Sequence, residues 1–206
     1  MRVASFVVFF SLGLSVIAQK QVKKTVLESD ISLVQIDASN CFQVFLDTGN
    51  THEITVEAQI DGEYSKDLEL EIYRKGNTLM VATGFRSSYV RLNDKLSAHK
   101  VVSIALRILL PKWKNVQVFG TNSRVMAAGE YTNLNITLAD GSCELEEVSQ
   151  NVKVKTQSGS ILVKAKSGQF DVFNKYGIVR RDSIPKGDDQ YGLSSVTGTI
   201  ELRKTE

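Results

Sequence analysis

The sequence predicts an all-β chain whose C-terminal half is a single-stranded, β-helix-like solenoid of about 18-residue coils, preceded by a more irregular β half. Three observations predict it. The anchors Ser123, Gly141, Gly159, Gly177 and Gly198 recur in steps of 18, 18, 18 and 21 residues. Around them, four offsets are apolar in almost every repeat. The positions between those offsets are mostly polar.

The apolar rows can be read directly. Seven residues before the anchors stand Val116, Leu134, Val152, Phe170 and Tyr191, and five before stand Val118, Ile136, Val154, Val172 and Leu193. Two after stand Val125, Cys143, Ile161, Val179 and Ile200, and four after stand Ala127, Leu145, Val163, Arg181 and Leu202. Nineteen of these 20 positions are apolar, against 42% for the whole chain, so chance does not explain the rows. The intervening row Gln117, Asn135, Lys153, Asp171, Gly192 is polar or bare. Alternation of period two marks half-buried strands, here two per repeat with the anchor at the corner between them. Glycine suits such a corner because it accepts positive φ.

One repeat cannot bury its own apolar face, but stacked repeats place like residues on one another at about 4.8 Å per coil. In sequence order, the outward row Ala128, Glu146, Lys164, Asp182, Arg203 then alternates in sign, which favours neighbouring side chains. Arg181 breaks an apolar row, and the segment Asp182 to Gln190, with Pro185 and Gly187, reads as a protruding loop. A β-sandwich of short hairpins is the alternative, but hairpins do not require a fixed 18-residue translation.

Residues 20–110 read as strands without a strict repeat. Phe42, Val44 and Leu46 alternate, as do Ile54, Val56, Ala58 and Ile60. Leu68, Leu70 and Ile72 lead into the hairpin turn Arg74-Lys75-Gly76-Asn77, then Leu79 and Val81. Ile104 to Leu110 form a last strand, and the polar stretch Arg86 to Lys100 reads as a loop. This half is expected to cap or continue the solenoid, whose open end exposes strand edges.

The run Asn40 to Gly49, then Glu53 to Ala58, then Gly76-Asn77-Thr78-Leu79, resembles the head GIN domain family of auto-transporter-adhesin-like bacterial envelope proteins. Ser158-Gly159-Ser160-Ile161 and Thr197-Gly198-Thr199-Ile200 are similar to the repeats of related adhesin-like β-strand families. The resemblance implies a β-solenoid and an exported location, and it transfers no catalytic residue. The Asp that usually follows the repeat Gly is Ser142, Ser160, Ile178 or Thr199 here, which argues against a calcium row.

The first 18 residues read as a secretory signal peptide: Met1-Arg2, an apolar run from Val3, and an end at Val16-Ile17-Ala18. Domain organisation is therefore expected as 1–18 signal peptide, 19–110 N-terminal β region and 111–206 solenoid repeats. No second long apolar run follows, so no stable membrane span is expected after cleavage. Export suggests periplasm, cell surface or secretion. Without Arg2 the chain carries 24 basic and 23 acidic residues, a balance that does not suit bulk nucleic-acid binding. Cys41 and Cys143 meet an oxidising compartment after export; they either pair or, as Cys143's apolar row suggests, act as small buried hydrophobes.

No catalytic constellation is visible, so a non-enzyme is expected, and no cofactor or metal is implied. His52-Glu53 lacks a second His, since Val56 stands in its place, and there is no nucleophile elbow or phosphate loop. Carboxylates of the second coil, Glu144 among them, and Asp188 and Asp189 of the loop keep a β-helix-type carbohydrate-active enzyme as a rival. Residues 129–150 hold five acidic and no basic residues, while 151–186 hold eight basic residues against Asp171 and Asp182. The two patches either satisfy one another or leave a basic surface for acidic glycans. The candidate ligand residues are Lys153, Lys155, Lys164 and Lys166, with Phe173 as an outward aromatic. The expected role is adhesin-like, structural or ligand-displaying, toward a cell-surface glycan or another envelope protein. A periplasmic sensor or assembly subunit that pairs through its open edge is the third reading.

Overall fold

The computed structural model describes residues 20–27, 30–62, 65–86 and 102–205. The signal-peptide reading of 1–18 and nearly all of the loop 86–100 lie outside the described residues.

Among the described residues, fifteen strands form one continuous hydrogen-bonded sheet, folded on itself into two rows, and there is no helix. The first row runs β5 (Leu68–Lys75), β6 (Thr78–Phe85), β2 (Leu33–Asp37), β8 (Lys114–Gly120), β9 (Arg124–Leu138), β10 (Cys143–Thr156), β14 (Gln190–Ser195), β12 (Gln169–Asn174). The second runs β1 (Lys20–Leu27), β4 (Glu53–Gly62), β7 (Val102–Pro111), β3 (Gln43–Gly49), β9, β10, β11 (Ile161–Ala165), β15 (Ile200–Lys204), β13 (Val179–Arg181). The long strands β9 and β10 belong to both rows. They turn the corner through Gly129 at φ 100° and through the register shifts after Glu146 and Ser149.

Inward residues of both rows meet in one apolar core. Val116, Leu134 and Val152 are in register on one side, and Val125, Cys143 and Ile161 on the other, each step 18 residues. All six are at most 2% exposed. The rows pass into the N-terminal half without a break: Val34 and Ile36 lie beside Val116 and Val118, and Val44 beside Val125. Val44 and Leu46 are buried as expected, whereas Phe42 precedes β3 and is exposed. The Gly76-Asn77 turn joins β5 and β6 with Gly76 at φ 61°, a left-handed conformation that glycine accepts without a Cβ clash.

Four expectations are corrected. First, the coils do not stack in sequence order. Val152 is followed in its row by Tyr191 and only then by Phe170. Likewise Ile161 is followed by Ile200 and then Val179. The fifth coil is inserted between the third and the fourth, and the fourth forms the edge. This accounts for Arg181, which stands in an apolar row but on an edge strand where its charge reaches solvent.

Second, the outward charge row is reordered. Lys164 neighbours Arg203, not Asp182. The like charges are offset by other partners, Lys164 by Glu144 diagonally across on β10 at 2.8 Å and Arg203 by Glu201 on its own strand at 2.9 Å. Third, the anchor glycines are not at positive φ. They are glycine because the backbone of an adjacent repeat occupies their side-chain space. A Cβ on Gly141 would lie 2.1 Å from the Ser123 carbonyl oxygen, and one on Gly198 2.0 Å from that of Gly159. The segment 182–189 also packs more closely than a protruding loop. Gly168 donates its N–H to Pro185 O at 3.0 Å, and Ile184 rests on the core.

Candidate functional site

On the outer side of the first row, β10, β14 and β12 bring three sets of residues into line. These are Asn151–Gln190–Gln169, Lys153–Gly192–Asp171 and Lys155–Ser194–Phe173. The alternation of each strand dictates this, because its other parity, Val152, Tyr191 and Phe170, is committed to the core. Gly192 has no side chain, so a shallow depression of about 430 Å³ opens between Lys153 and Asp171. The lysine and the aspartate stand two strand spacings apart, about 10 Å.

The floor of the depression is fixed. The Tyr191 hydroxyl donates to the Val148 carbonyl, and its ring stacks on Phe170 at 4.8 Å between centroids. Burial pushes the Tyr191 phenol well above its ordinary pKa, so it stays a donor at neutral pH. Phe173, 62% exposed, stands two residues beyond Asp171 on the same face of β12, outside the lining of the depression.

The basic candidates do not form one patch. Lys153 and Lys155 are exposed on the first row's outer face. Lys164 belongs to β11 of the second row, and Lys166 follows it. Each repeat gives one strand segment to each row, so residues some ten positions apart stand in different rows. Lys164 lies 2.8 Å from Glu144, and Lys166 lies 3.5 Å from Glu147. The hydrogen bond between Lys164 and Glu144 lowers the glutamate's pKa and raises that of the lysine. Here the acidic and basic stretches do satisfy one another. Lys153 and Lys155 make no ion pair among the described residues.

The carboxylates considered for catalysis are dispersed. Asp140 accepts from Ser158 Oγ at 2.5 Å, Glu144 is held by Lys164 and Arg124, and Asp189 accepts the Gln150 N–H at 2.6 Å. Glu144 faces out from the second row, while Asp188 lies in the segment leading into β14 of the first. A second cleft of about 280 Å³ is lined by Glu130, Glu147, Asp189 and Lys166. Each of its carboxylates has a partner: Lys112 at 3.0 Å, Lys166 at 3.5 Å and the Gln150 N–H. Among the described residues no cluster of His, Cys, Asp and Glu is arranged to hold a metal ion. His52 is exposed by the turn before β4. Cys41 and Cys143 are both buried free thiols, not a disulfide, and burial raises the Cys41 pKa to about 11.

Asn151, Gln169, Asp171, Gln190 and Gly192 were not candidates in the sequence. Stacking the coils in order leaves Gly192 at the end of its row, where it opens no gap. The signal that could have found it is Arg181, which marks the fourth coil as the edge and so sends the fifth inward.

No protein-family model matches the chain, and no curated protein matches it. Among solved structures, a candidate cell adhesion protein from Clostridium sporogenes aligns over 91% of this chain and 100% of its own, with a TM-score of 0.64 at 15% identity. The two share a fold. Candidate adhesins from Bacteroides fragilis and Parabacteroides merdae align over 92% and 89% of this chain and 99% and 96% of their own. Their identities are 12% and 14%, with TM-scores of 0.33 and 0.31.

Proposed function

We propose that this chain is an exported, non-catalytic, adhesin-like protein whose solenoid-like parallel stack displays the β10–β14–β12 face to cell-surface glycans. One observation carries the reading: the depression over Gly192, walled by Lys153 and Asp171 and bordered by Asn151, Gln169 and Gln190, with Phe173 exposed further along the same face of β12. Amides and a carboxylate suit sugar hydroxyls, an exposed ring suits the apolar face of a pyranose, and about 10 Å between the walls admits one ring. Lys153 and Lys155 favour acidic sugars, an attraction screened beyond about 8 Å at physiological salt.

Other features support the same reading. The sequence resembles head GIN proteins, and the C. sporogenes protein of the same fold is described as a candidate in cell adhesion. The apolar run from Val3 fits export. The test has two arms. A C-terminal tag is followed by protease on intact cells, with a periplasmic marker as control. The mature chain is then screened against neutral and acidic oligosaccharides at low and raised salt. Loss of the tag from intact cells, with salt-sensitive binding to acidic glycans, supports the reading. A protected tag and no binding, or turnover of a polyuronate, overturns it.

A further inference from the structure

The two ends of the stack differ. At the end formed by β1 and β5, lysines from one row reach the backbone of the other: Lys20 Nζ donates to Leu68 O at 2.5 Å and Lys24 Nζ to Leu70 O at 2.6 Å. These side chains close that end, and a lysine-rich edge deters pairing. At the opposite end, β12 pairs only with β14 and β13 only with β15 among the described residues. Their outer backbone edges are open. Large apolar side chains collect there: Phe173 (62% exposed), Tyr176 (71%), Ile178 (56%) and Val179 (43%). The chain's last strand, β15, is not the edge, since β11 and β13 flank it.

We propose that this open end joins a second copy of the chain about a two-fold axis, with β12 of each copy antiparallel to β13 of the other. Two features favour a like edge as the occupant. Residues 169–189 carry Lys175, Arg180, Arg181 and Lys186 against Asp171, Asp182, Asp188 and Asp189, so the end is neutral and does not repel its copy. Asp171 on β12 and Arg180 on β13 both face outward, so this pairing sets Asp171 beside the partner's Arg180. Pairing β12 with itself would oppose two aspartates instead.

The end face measures about 20 Å along β12 and about 20 Å across the two rows. Ile184 and its neighbours cover one part of it. At most roughly 400 Å² buried per copy falls below standard specific interfaces, so a weak, concentration-dependent dimer is expected. The closed β1–β5 end stops growth at two copies. Such a dimer carries two Gly192 depressions, but the inference stands on the edge alone.

Sedimentation of the mature chain without ligand tests it. The parent should show a monomer–dimer equilibrium. Asp171→Arg and Arg180→Asp should each weaken it roughly tenfold or more, and the double variant should recover it. Ile178→Lys, at an exposed position, should also yield monomer, with melting confirming that each variant folds. A parent that stays monomeric at all concentrations, variants that associate like the parent, or a double variant that does not recover overturns the proposal.

Discussion

The carbonyl oxygen of Gly141 lies 1.5 Å from the point where a Cβ on Gly159 would stand. No side chain can yield there, because the obstacle is backbone of the neighbouring coil. Gly159→Ala should therefore cost about 3 kcal/mol, as overpacking of a closed site does. Gly84→Ala is the control, since its Cβ meets only Glu71 Oε1 at 3.9 Å, and it should stay within about 0.5 kcal/mol of the parent. Urea unfolding of the two variants makes the comparison.

A buried chain of hydrogen bonds holds the inserted coil to its neighbour. Gly198 N–H donates to Ser195 Oγ at 2.9 Å, Ser195 Oγ is 3.0 Å from Thr156 Oγ1, and Thr156 donates to Gly159 O at 2.7 Å. Thr156→Val keeps the shape and removes the middle link. It leaves buried groups without a partner and should cost about 1–3 kcal/mol, read as a lower denaturation midpoint at unchanged slope.

The coil order predicts different fates for residues in equivalent repeat positions. Ile161 is fully buried, whereas Val179 is 43% exposed at the edge. Ile161→Asp, like Val154→Asp, buries an unpaired charge and should prevent folding. Val179→Asp should fold and melt close to the parent. Equal damage at 161 and 179 would contradict the inserted fifth coil.

Glu144 gives the stack a pH-dependent contribution. Its folded pKa is lowered, chiefly by the hydrogen bond from Lys164. The contribution is thus fully present above the ordinary glutamate pKa and is lost as pH falls through the lowered value. Glu144→Gln should melt below the parent at neutral pH, and the gap should narrow steadily on acidification. A gap that is constant with pH would show that the pair contributes no linked stability.

Much of the fold was legible because period-two alternation and the 18-residue step are direct consequences of strand geometry. Val116, Leu134 and Val152, or Val125, Cys143 and Ile161, could be placed beside one another from sequence alone. The insertion of Tyr191 and Ile200 ahead of Phe170 and Val179 could not, because the apolar rows look the same whichever coil comes last. The 21-residue final step and Arg181 were the only traces of it. The candidate site was legible in part for the same reason. Lys153 and Phe173 stood among the candidates, but which residue faces Lys153 across Gly192 depends on the order of repeats. Lys164 and Lys166 were grouped with them by sequence proximity, which a coil that circles two faces does not preserve.

The depression over Gly192 is the feature on which the functional account turns, and it can be filled without disturbing the fold. A Cβ at Gly192 meets only Lys153 Cγ at 3.6 Å and Val152 O at 3.9 Å, ordinary contacts. The most direct measurement is calorimetric titration of the parent and Gly192→Leu with the oligosaccharide that the mature chain binds best in the screen. The account predicts saturable binding to the parent and loss of that binding in the variant, with both proteins melting at the same temperature. Equal binding by the two proteins, or no saturable binding to the parent, would contradict it.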